Sequence, residues 1–537
     1  MNKNRFRCTF LLLILAGCGG GDSPPPAAKG DPLYEHQWHL NNTGQTNFSS
    51  EAAVPGFDLN VAGLFAAGAT GRGVNVLVLD DGLDIRHPDL AANVDPARLR
   101  NFDPGAQNAN DPTPADINDA HGTAVAGIIA AVADNGVGGR GIAPSASLGG
   151  ANLLGCGGAC GDATTVIDAY GGVPFSANAA VINASYGSDP TAPEPIDVDT
   201  QGAPILGFAA MRGGKGIVMV KSAGNAFRDF KGDNGQCAQA QAHGLSCQNA
   251  AFDPESLFPQ VVTVGAVNAR GVKSSYSTAG ASLLAAGLGG EFGMANPSTP
   301  QVAGPALLST DLAGCDRGYA RTHLPQPHRN DFENPATDTA KRLNTSCDYT
   351  SIMNGTSAAA PTVTGIVALM LAANPALSWR DLRVILAKSS RKIDANRAPL
   401  ELDLAGAPYV AEPGWTRNDA GLWFHNWYGY GLVDGAAAVA MAKSYTDYLP
   451  GGQPADSGWI DSAALNLAVP VADATGVTDS IAFGGARVIE AVQIRVSVGG
   501  DAILGDLGIE LLSPSGTRSV LMTAHNVFQA TATVNDL

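Results

Sequence analysis

Residues 76–90 read VLVLDDGLDIRHPDL: a short apolar run stops at Asp80, and Asp81, Asp84 and Asp89 follow at uneven spacing. An uninterrupted apolar run bounded by a Gly turn is the pattern of a strand buried on both faces, the strand type of parallel sheets. Asp80 closes that run, and in open α/β sheets chemistry gathers outside the carboxyl ends of strands. The pattern recurs in IVMVKSAG (217–224) and VVTVGAV (261–267), alternating with the helical stretches HGTAVAGIIAAVA (121–133) and TSAAAPTVTGIVALMLAAN (356–374). From Val74 to about Leu386 this alternation predicts an α/β domain with a mostly parallel central sheet flanked by helices.

A chain of 537 residues leaves room for that domain and a second module. With 45% hydrophobic residues, 66 Gly and 15% charged residues the composition is globular and rich in tight turns. A net charge of -17 without a basic stripe excludes nucleic acid as a partner and suits cation binding.

The first residues have the form of an export leader, with basic charges between Asn2 and Arg7 and an apolar run from Cys8 to Ala16 that is too short to span a bilayer. The run ends in LAGC (15–18), which resembles the lipobox of bacterial lipoproteins. That resemblance implies lipidation at Cys18, a tether over 19–30 and a place on the bacterial cell envelope. Six further cysteines in an exported chain predict disulfides, and local pairing joins Cys156 to Cys160, Cys237 to Cys247 and Cys315 to Cys347, one of fifteen connectivities. Zinc is disfavoured by the missing pairs of CxxC.

The α/β domain is placed at 31–447, and the Pro- and Gly-rich PGGQPADSG (450–458) is read as a linker. Beyond it, AVQIRVSVGG (491–500) and LGIELLSPSGTRSVLM (507–522) alternate as strands do, which predicts a β-sandwich over 455–537. Because 83 residues follow Pro454 and such a sandwich takes about 100, the module is expected to be incomplete at its C-terminus.

NGTSAAAP (354–361) sets Ser357 at a helix start among alanines, where small neighbours let a substrate backbone approach and free N–H groups face a developing oxyanion. A serine nucleophile needs a base, and the base needs an orienting carboxylate. Among nine histidines, His121 stands alone in a comparable helix-start setting, Asp80 ends a buried strand, and Asn225 in KSAGNAF follows another. Taken singly, Ser357 also reads as an N-cap, His121 as a core histidine, Asp80 as a turn residue and Asn225 as a left-handed turn. Together they form one set, in an Asp, His, Ser order known for this chemistry.

LDDGLDIRHPDL, HGTAVAGIIAAVADNGVGGRGIAP, INASYG, SAGN and GTSAAAP resemble the catalytic blocks of the subtilases, the subtilisin-like serine proteases. QWHL, DDG, SWRDL and GYGLVDGAAAVAMA, followed by the β-module, are similar to the kexin and furin branch with its P-domain. The resemblance implies that Asp80 orients His121, that His121 takes the proton of Ser357, and that Asn225 and the Ser357 N–H form the oxyanion hole. It implies that ASYG, Ala184 to Gly187 and so including Ser185, pairs as an edge strand with extended protein or peptide substrates. It also implies a Ca2+ site built from Asp31, Asp89, Asn135 and the carbonyls of Val132, Val137 and Gly139, six hard oxygens. A second ion near Asp103 and Asp111 is poorly patterned. Asp81 matches a position that faces basic substrate side chains, whereas Asp84 reads as a solvated turn residue.

The sequence departs from the kexin pattern in two places. Asp189 lies one position off the expected acid, Asp168 falls near another such position, Asp253 is displaced, and Asp197 and Asp199 add charge nearby. Arg or Lys before the cut bond is therefore expected without strict dibasic processing. Twelve residues between Cys18 and Asp31 cannot fold alone as a pro-domain, which points to a separate chaperone and inhibitor protein. The function expected is that of a calcium-dependent serine endopeptidase. The alternative is a lapsed, surface-anchored peptide-binding protein, disfavoured because Asp80, His121, Asn225 and Ser357 are all intact. No G-x-S-x-G elbow surrounds Ser357, which excludes an esterase of that type.

Overall fold

The structure is a computed structural model that describes residues 30–156, 162–190, 192–228, 237–298, 301–322, 330–334, 343–462, 465–484, 488–499 and 503–525. Seven strands form one sheet: β1 Asn75–Asp80, β2 Val94–Asn101, β3 Ser147–Asn152, β4 Val181–Ala184, β5 Val218–Ser222, β6 Val261–Val267 and β7 Leu283–Leu288. Their order is β2-β3-β1-β4-β5-β6-β7, and every neighbouring pair is parallel. The mostly parallel central sheet expected from the apolar runs is the one observed.

β1 shows why both of its faces had to be apolar. Val76 and Val78 enter the large core shared with the long helices, while Leu77 and Leu79 enter the core on the opposite face with Met219, Phe208 and Ile182. Two-residue alternation delivers side chains to both layers. The helix His121–Ala130, hereafter the histidine helix, and the helix Thr356–Ala373, the serine helix, both lie in the first core. The serine helix is apolar and long enough to cross a bilayer, yet 83% of its most apolar window is buried inside the fold.

An antiparallel pair, β8 Leu307–Thr310 and β9 Tyr349–Met353, braces the histidine helix. The Ser309 hydroxyl donates to the Ala124 carbonyl (2.6 Å) and the Thr310 hydroxyl to the Thr123 carbonyl (2.7 Å). Disulfides join Cys237 to Cys247 and Cys315 to Cys347, as local pairing predicts. Cys160, expected to pair with Cys156, lies outside the described residues, as do Cys18 and residues 1–29 with the leader and most of the tether.

After the linker the described residues contain a single paired hairpin, Ile509–Leu512 with Arg518–Met522. The described residues between 455 and 484 form no helix or strand, with Val471 95% exposed and Leu465, Leu467 and Phe483 also exposed. Alternating apolar residues suffice for one strand, but a sandwich requires a second sheet to cover them, and none stands among the described residues. The hairpin itself docks on the catalytic domain: Asn249 Nδ2 donates to the Leu521 carbonyl (2.8 Å) and Asn426 Nδ2 to that of Val520 (3.0 Å).

Candidate active site

Asp80 contacts His121 at the carboxyl end of β1, and Asn225, just past β5, contacts the helix start that carries Ser357. Asp80, the last residue of β1, is fully buried. Its Oδ1 lies 2.7 Å from His121 Nδ1 and accepts the Asp81 backbone N–H (2.8 Å). Burial works to lower the basicity of His121, but the charge and hydrogen bond of Asp80 outweigh it and push the imidazole up to about 9. The His121 side chain remains 27% exposed, open to a reactant.

Ser357 sits in the first turn of the serine helix. In this conformation its hydroxyl donates to the Ser185 carbonyl (3.1 Å), and the Ser185 hydroxyl donates back to the Ser357 carbonyl (2.9 Å). The preceding Gly355 has φ +95°, a backbone that favours glycine, and a Cβ there would stand 3.3 Å from Asn225 Nδ2. Tyr276 holds this turn by accepting the Gly355 N–H at 2.8 Å and bonding the Gly289 and Gly290 carbonyls.

Asn225 Oδ1 accepts the Thr356 N–H (2.9 Å) and lies 3.0 Å from the Thr356 hydroxyl. A backbone N–H can only donate, so the oxygen must face Thr356 and Nδ2 must face the other way. That leaves an oriented donor beside the start of the serine helix. Thr356 was missed by sequence reasoning, because a helix-start threonine carries no sign of which side chain it will anchor.

The neighbouring acids are placed differently from expectation. Asp81 spends both carboxylate oxygens on the histidine helix, accepting the His121 N–H (3.0 Å) and the Gly122 N–H (2.7 Å). Burial, then the charge of Asp80, pushes it up to about 7. Asp84 is not a solvated turn residue: it is buried and accepts the Arg86 N–H (3.1 Å) and the Ala313 N–H (3.2 Å). Loop amides need partners when buried, and a short carboxylate supplies them.

Ala184 is not on an edge either, since it pairs with Leu79 of β1 and Lys221 of β5. Beyond the strand, Ser185 to Gly187 leave the sheet, with the Ser185 carbonyl accepting from Ser357 and the Tyr186 carbonyl from Lys221. Asp189 is exposed and reaches beside Gly224, with Oδ1 2.5 Å from where a Cβ of that glycine would stand. Asp253 is taken by Lys221 (3.2 Å), and Asp197 caps its own turn by accepting the N–H groups of Asp199 and Thr200. Asp111 is paired with Arg86 (2.8 Å), and Asp103 accepts the Gly105 N–H (2.8 Å).

Asp31, Asp89 and Asn135 converge at a second place. Asp89 is fully buried, and its Oδ1 accepts from Asn135 Nδ2 (2.8 Å) while Oδ2 has no partner. Burial raises both carboxyl groups, Asp31 to about 6 and Asp89 to about 7, and the charge of Asp31 adds to the rise at Asp89. The carbonyls of Val132, Val137 and Gly139 accept no hydrogen bond from another described residue. Among the described residues no three His, Cys, Asp or Glu side chains gather as a metal cluster. This donor set is instead two carboxylates with amide and carbonyl oxygens, the chemistry of a hard cation.

The profile of the Subtilase family matches residues 71–431. The extracellular serine protease of Aeromonas sobria is 38% identical over 515 residues, covering 92% of this chain and 77% of that protein. Furin of Rattus norvegicus is 30% identical over 508 residues, covering 92% of this chain and 51% of furin. The crystal structure of the Aeromonas sobria serine protease in complex with its chaperone, ORF2, superposes with a TM-score of 0.76 at 34% identity, covering 93% of this chain and 81% of that one. The chain belongs to the subtilase family. Within it, this is a serine protease related to the Aeromonas enzymes and to the furin-like endoproteases.

Proposed function

We propose that the protein cleaves peptide bonds with Ser357 as nucleophile, His121 as general base and Asp80 as the carboxylate that orients the imidazole. The observation that carries this reading is the 2.7 Å contact between Asp80 Oδ1 and His121 Nδ1, and it is supported by the Asn225 amide held against the helix start that bears Ser357. In the reaction the Ser357 hydroxyl leaves the Ser185 carbonyl, gives its proton to His121 Nε2, and its oxygen attacks the scissile carbonyl. The oxyanion takes hydrogen bonds from Asn225 Nδ2 and the Ser357 N–H. His121 then protonates the leaving amine, and water repeats the sequence to free the acid. Ser357→Ala is expected to reduce hydrolysis by several orders of magnitude without loss of fold, and a fluorophosphonate should label Ser357 alone. Residual turnover above ~1% in that variant would refute the assignment.

Substrates bind as extended peptides along Ser185 to Gly187, and a preference for Arg or Lys before the cut bond rests on the exposed Asp189 near Gly224. Asp81 contributes to that preference only through its field, because both its oxygens are occupied. Calcium is held by Asp31, Asp89 and the carbonyls of Val132, Val137 and Gly139, and a role for Asn135 requires its amide to turn, since Oδ1 now accepts the Val137 N–H. The ion neutralises two buried carboxylates.

Export is supported by the leader and by the extracellular Aeromonas sobria relative. Lipidation at Cys18 anchors the chain to the cell envelope, and incorporation of an alkyne-labelled fatty acid that Cys18→Ala abolishes is the test. A separate chaperone, of the kind found with the Aeromonas sobria protease, assists folding of this chain and docks on the cleft rim.

A further inference from the structure

β5 carries a lysine where its neighbours carry core residues. Val218 and Val220 enter the core of the serine helix, and Met219 enters the core on the opposite face. Alternation sends Lys221 to the face of Met219, and its side chain is only 1% exposed. A buried ammonium is costly unless each proton finds an acceptor. Here Nζ donates to the Tyr186 carbonyl (2.8 Å) and lies 3.2 Å from Asp253 Oδ2 and 3.0 Å from Glu255 Oε2. One carbonyl accepts from the ammonium, and two carboxylates stand beside it as counter-charges.

The cluster grips Tyr186 at both ends. Glu255 Oε1 accepts from the Tyr170 hydroxyl (2.6 Å), which lies 2.9 Å from the hydroxyl of Tyr186. The carboxylates are themselves fixed, because Asp253 Oδ1 accepts the Glu255 N–H (3.1 Å) at the start of the turn Pro254–Leu257. Tyr186 stands between Ser185, which exchanges hydrogen bonds with Ser357, and Gly187, whose Cβ position lies 2.5 Å from Asp253 Oδ2. A buried ion cluster adds little net stability over apolar residues of the same volume. What this one adds is a directed, charge-assisted bond to one backbone carbonyl at the cleft.

We propose that Lys221, with Asp253 and Glu255, is a positioning residue for substrate binding: it clamps the Tyr186 peptide so that the backbone of Ser185 to Gly187 faces an extended substrate. This rests on the reading of that segment as the substrate-docking strand. Lys221→Met alone would strand two buried carboxylates, so the test pairs it with the charge-free triple variant K221M/D253N/E255Q and with Lys221→Arg. kcat and KM are measured for an extended chromogenic hexapeptide and for a small activated ester, beside melting curves and fluorophosphonate labelling. In the triple variant the hexapeptide KM should rise about tenfold, with kcat for both substrates held within about twofold and labelling retained. A folded triple variant with wild-type KM would overturn the clamp. Equal losses on ester and peptide would overturn it too, since they signal general damage. If instead the wild-type enzyme gains nothing in kcat/KM from peptide length, the docking-strand reading itself fails, and the clamp with it.

Discussion

Thr356 fixes the direction of the Asn225 amide: its N–H donates to Asn225 Oδ1 at 2.9 Å and its hydroxyl stands 3.0 Å from the same oxygen. The donor end of Asn225 is thereby aimed before substrate arrives, and preorganised donors are what lower the barrier to a charged intermediate. Asn225→Ala is expected to lower kcat by about 10²–10³ with little change in KM. Thr356→Val keeps the N–H but removes the hydroxyl, and a loss of about tenfold in kcat is expected. Steady-state kinetics on one peptide substrate check both, and a rise in KM alone would mean that the pair serves binding instead.

The pH profile follows from Asp80 and His121. Burial pulls the imidazole down from 6.5, Asp80 pulls it up further, and the balance stands near 9. The base must be neutral to accept a proton, so kcat/KM should climb with pH toward about 9. Asp80→Asn should shift that limb to lower pH and reduce kcat by about 10⁴. For stability the sign is opposite: the protonated pair contributes fully below the unfolded value of 6.5 and is lost as pH rises through about 9. Rate profiles from pH 5 to 10 decide the matter, and an acid limb near that of free imidazole would contradict the Asp80 effect.

The parts of this site that are local in the chain were legible in the sequence. Asp80 ends an apolar run, His121 and Ser357 begin helices, and Asn225 follows a buried strand, all of which one-dimensional patterns record. What could not be read was which polar groups would satisfy one another across the fold. Asp84 looked solvated because a carboxylate in a Gly-flanked loop usually is, yet its oxygens close amides contributed by Arg86 and Ala313. Ala184 looked like an edge because nothing in INASYG tells that Leu79 and Lys221 will flank it. Lys221 drew no reading of its own inside the run IVMVKSAG, since its partners lie over thirty positions away in either direction of the chain.

Calcium removal tests the site at Asp31 and Asp89. An ion that binds only the folded state stabilises it by mass action, by about 2.7 kcal/mol at a hundredfold excess over Kd. Chelation should therefore lower Tm by several degrees, and Asp89→Ala should lower it similarly while abolishing the response to chelator. Calorimetry with chelator and with added calcium reads this directly, and coincident melting curves would refute the site.

Asp189 stands exposed beside Gly224, the residue before Asn225, and the proposed preference for a basic side chain rests on it. Cleavage of a peptide library should show Arg or Lys enriched before the scissile bond, and Asp189→Asn should lower that enrichment about tenfold through loss of charge complementarity. Enrichment of Leu, Phe or Ala at that position would reject the preference.

Folding needs contacts that close late. β1 pairs with β3 through Asn75 and Ser147 and with β4 through Val76 and Val181, so the centre of the sheet waits for strands far along the chain. Each such pairing closes a long loop before it is stabilised, which slows folding and leaves apolar strand faces open meanwhile. In β1 those faces are Val76 and Val78 on one side and Leu77 and Leu79 on the other, with nothing to cover either until the helices that pack on the finished sheet are in place. A helper that caps the half-formed cleft would shorten that exposure, and the same contact would hold the finished enzyme inactive until release. Expression of this chain alone with a signal peptide is then expected to give soluble protein of low specific activity, and co-expression with a chaperone of the kind found with the Aeromonas sobria protease should raise activity at least tenfold. Active-site titration with a fluorophosphonate separates fewer active molecules from slower ones. Full titration of chain expressed alone, at normal yield, would show that it folds without help.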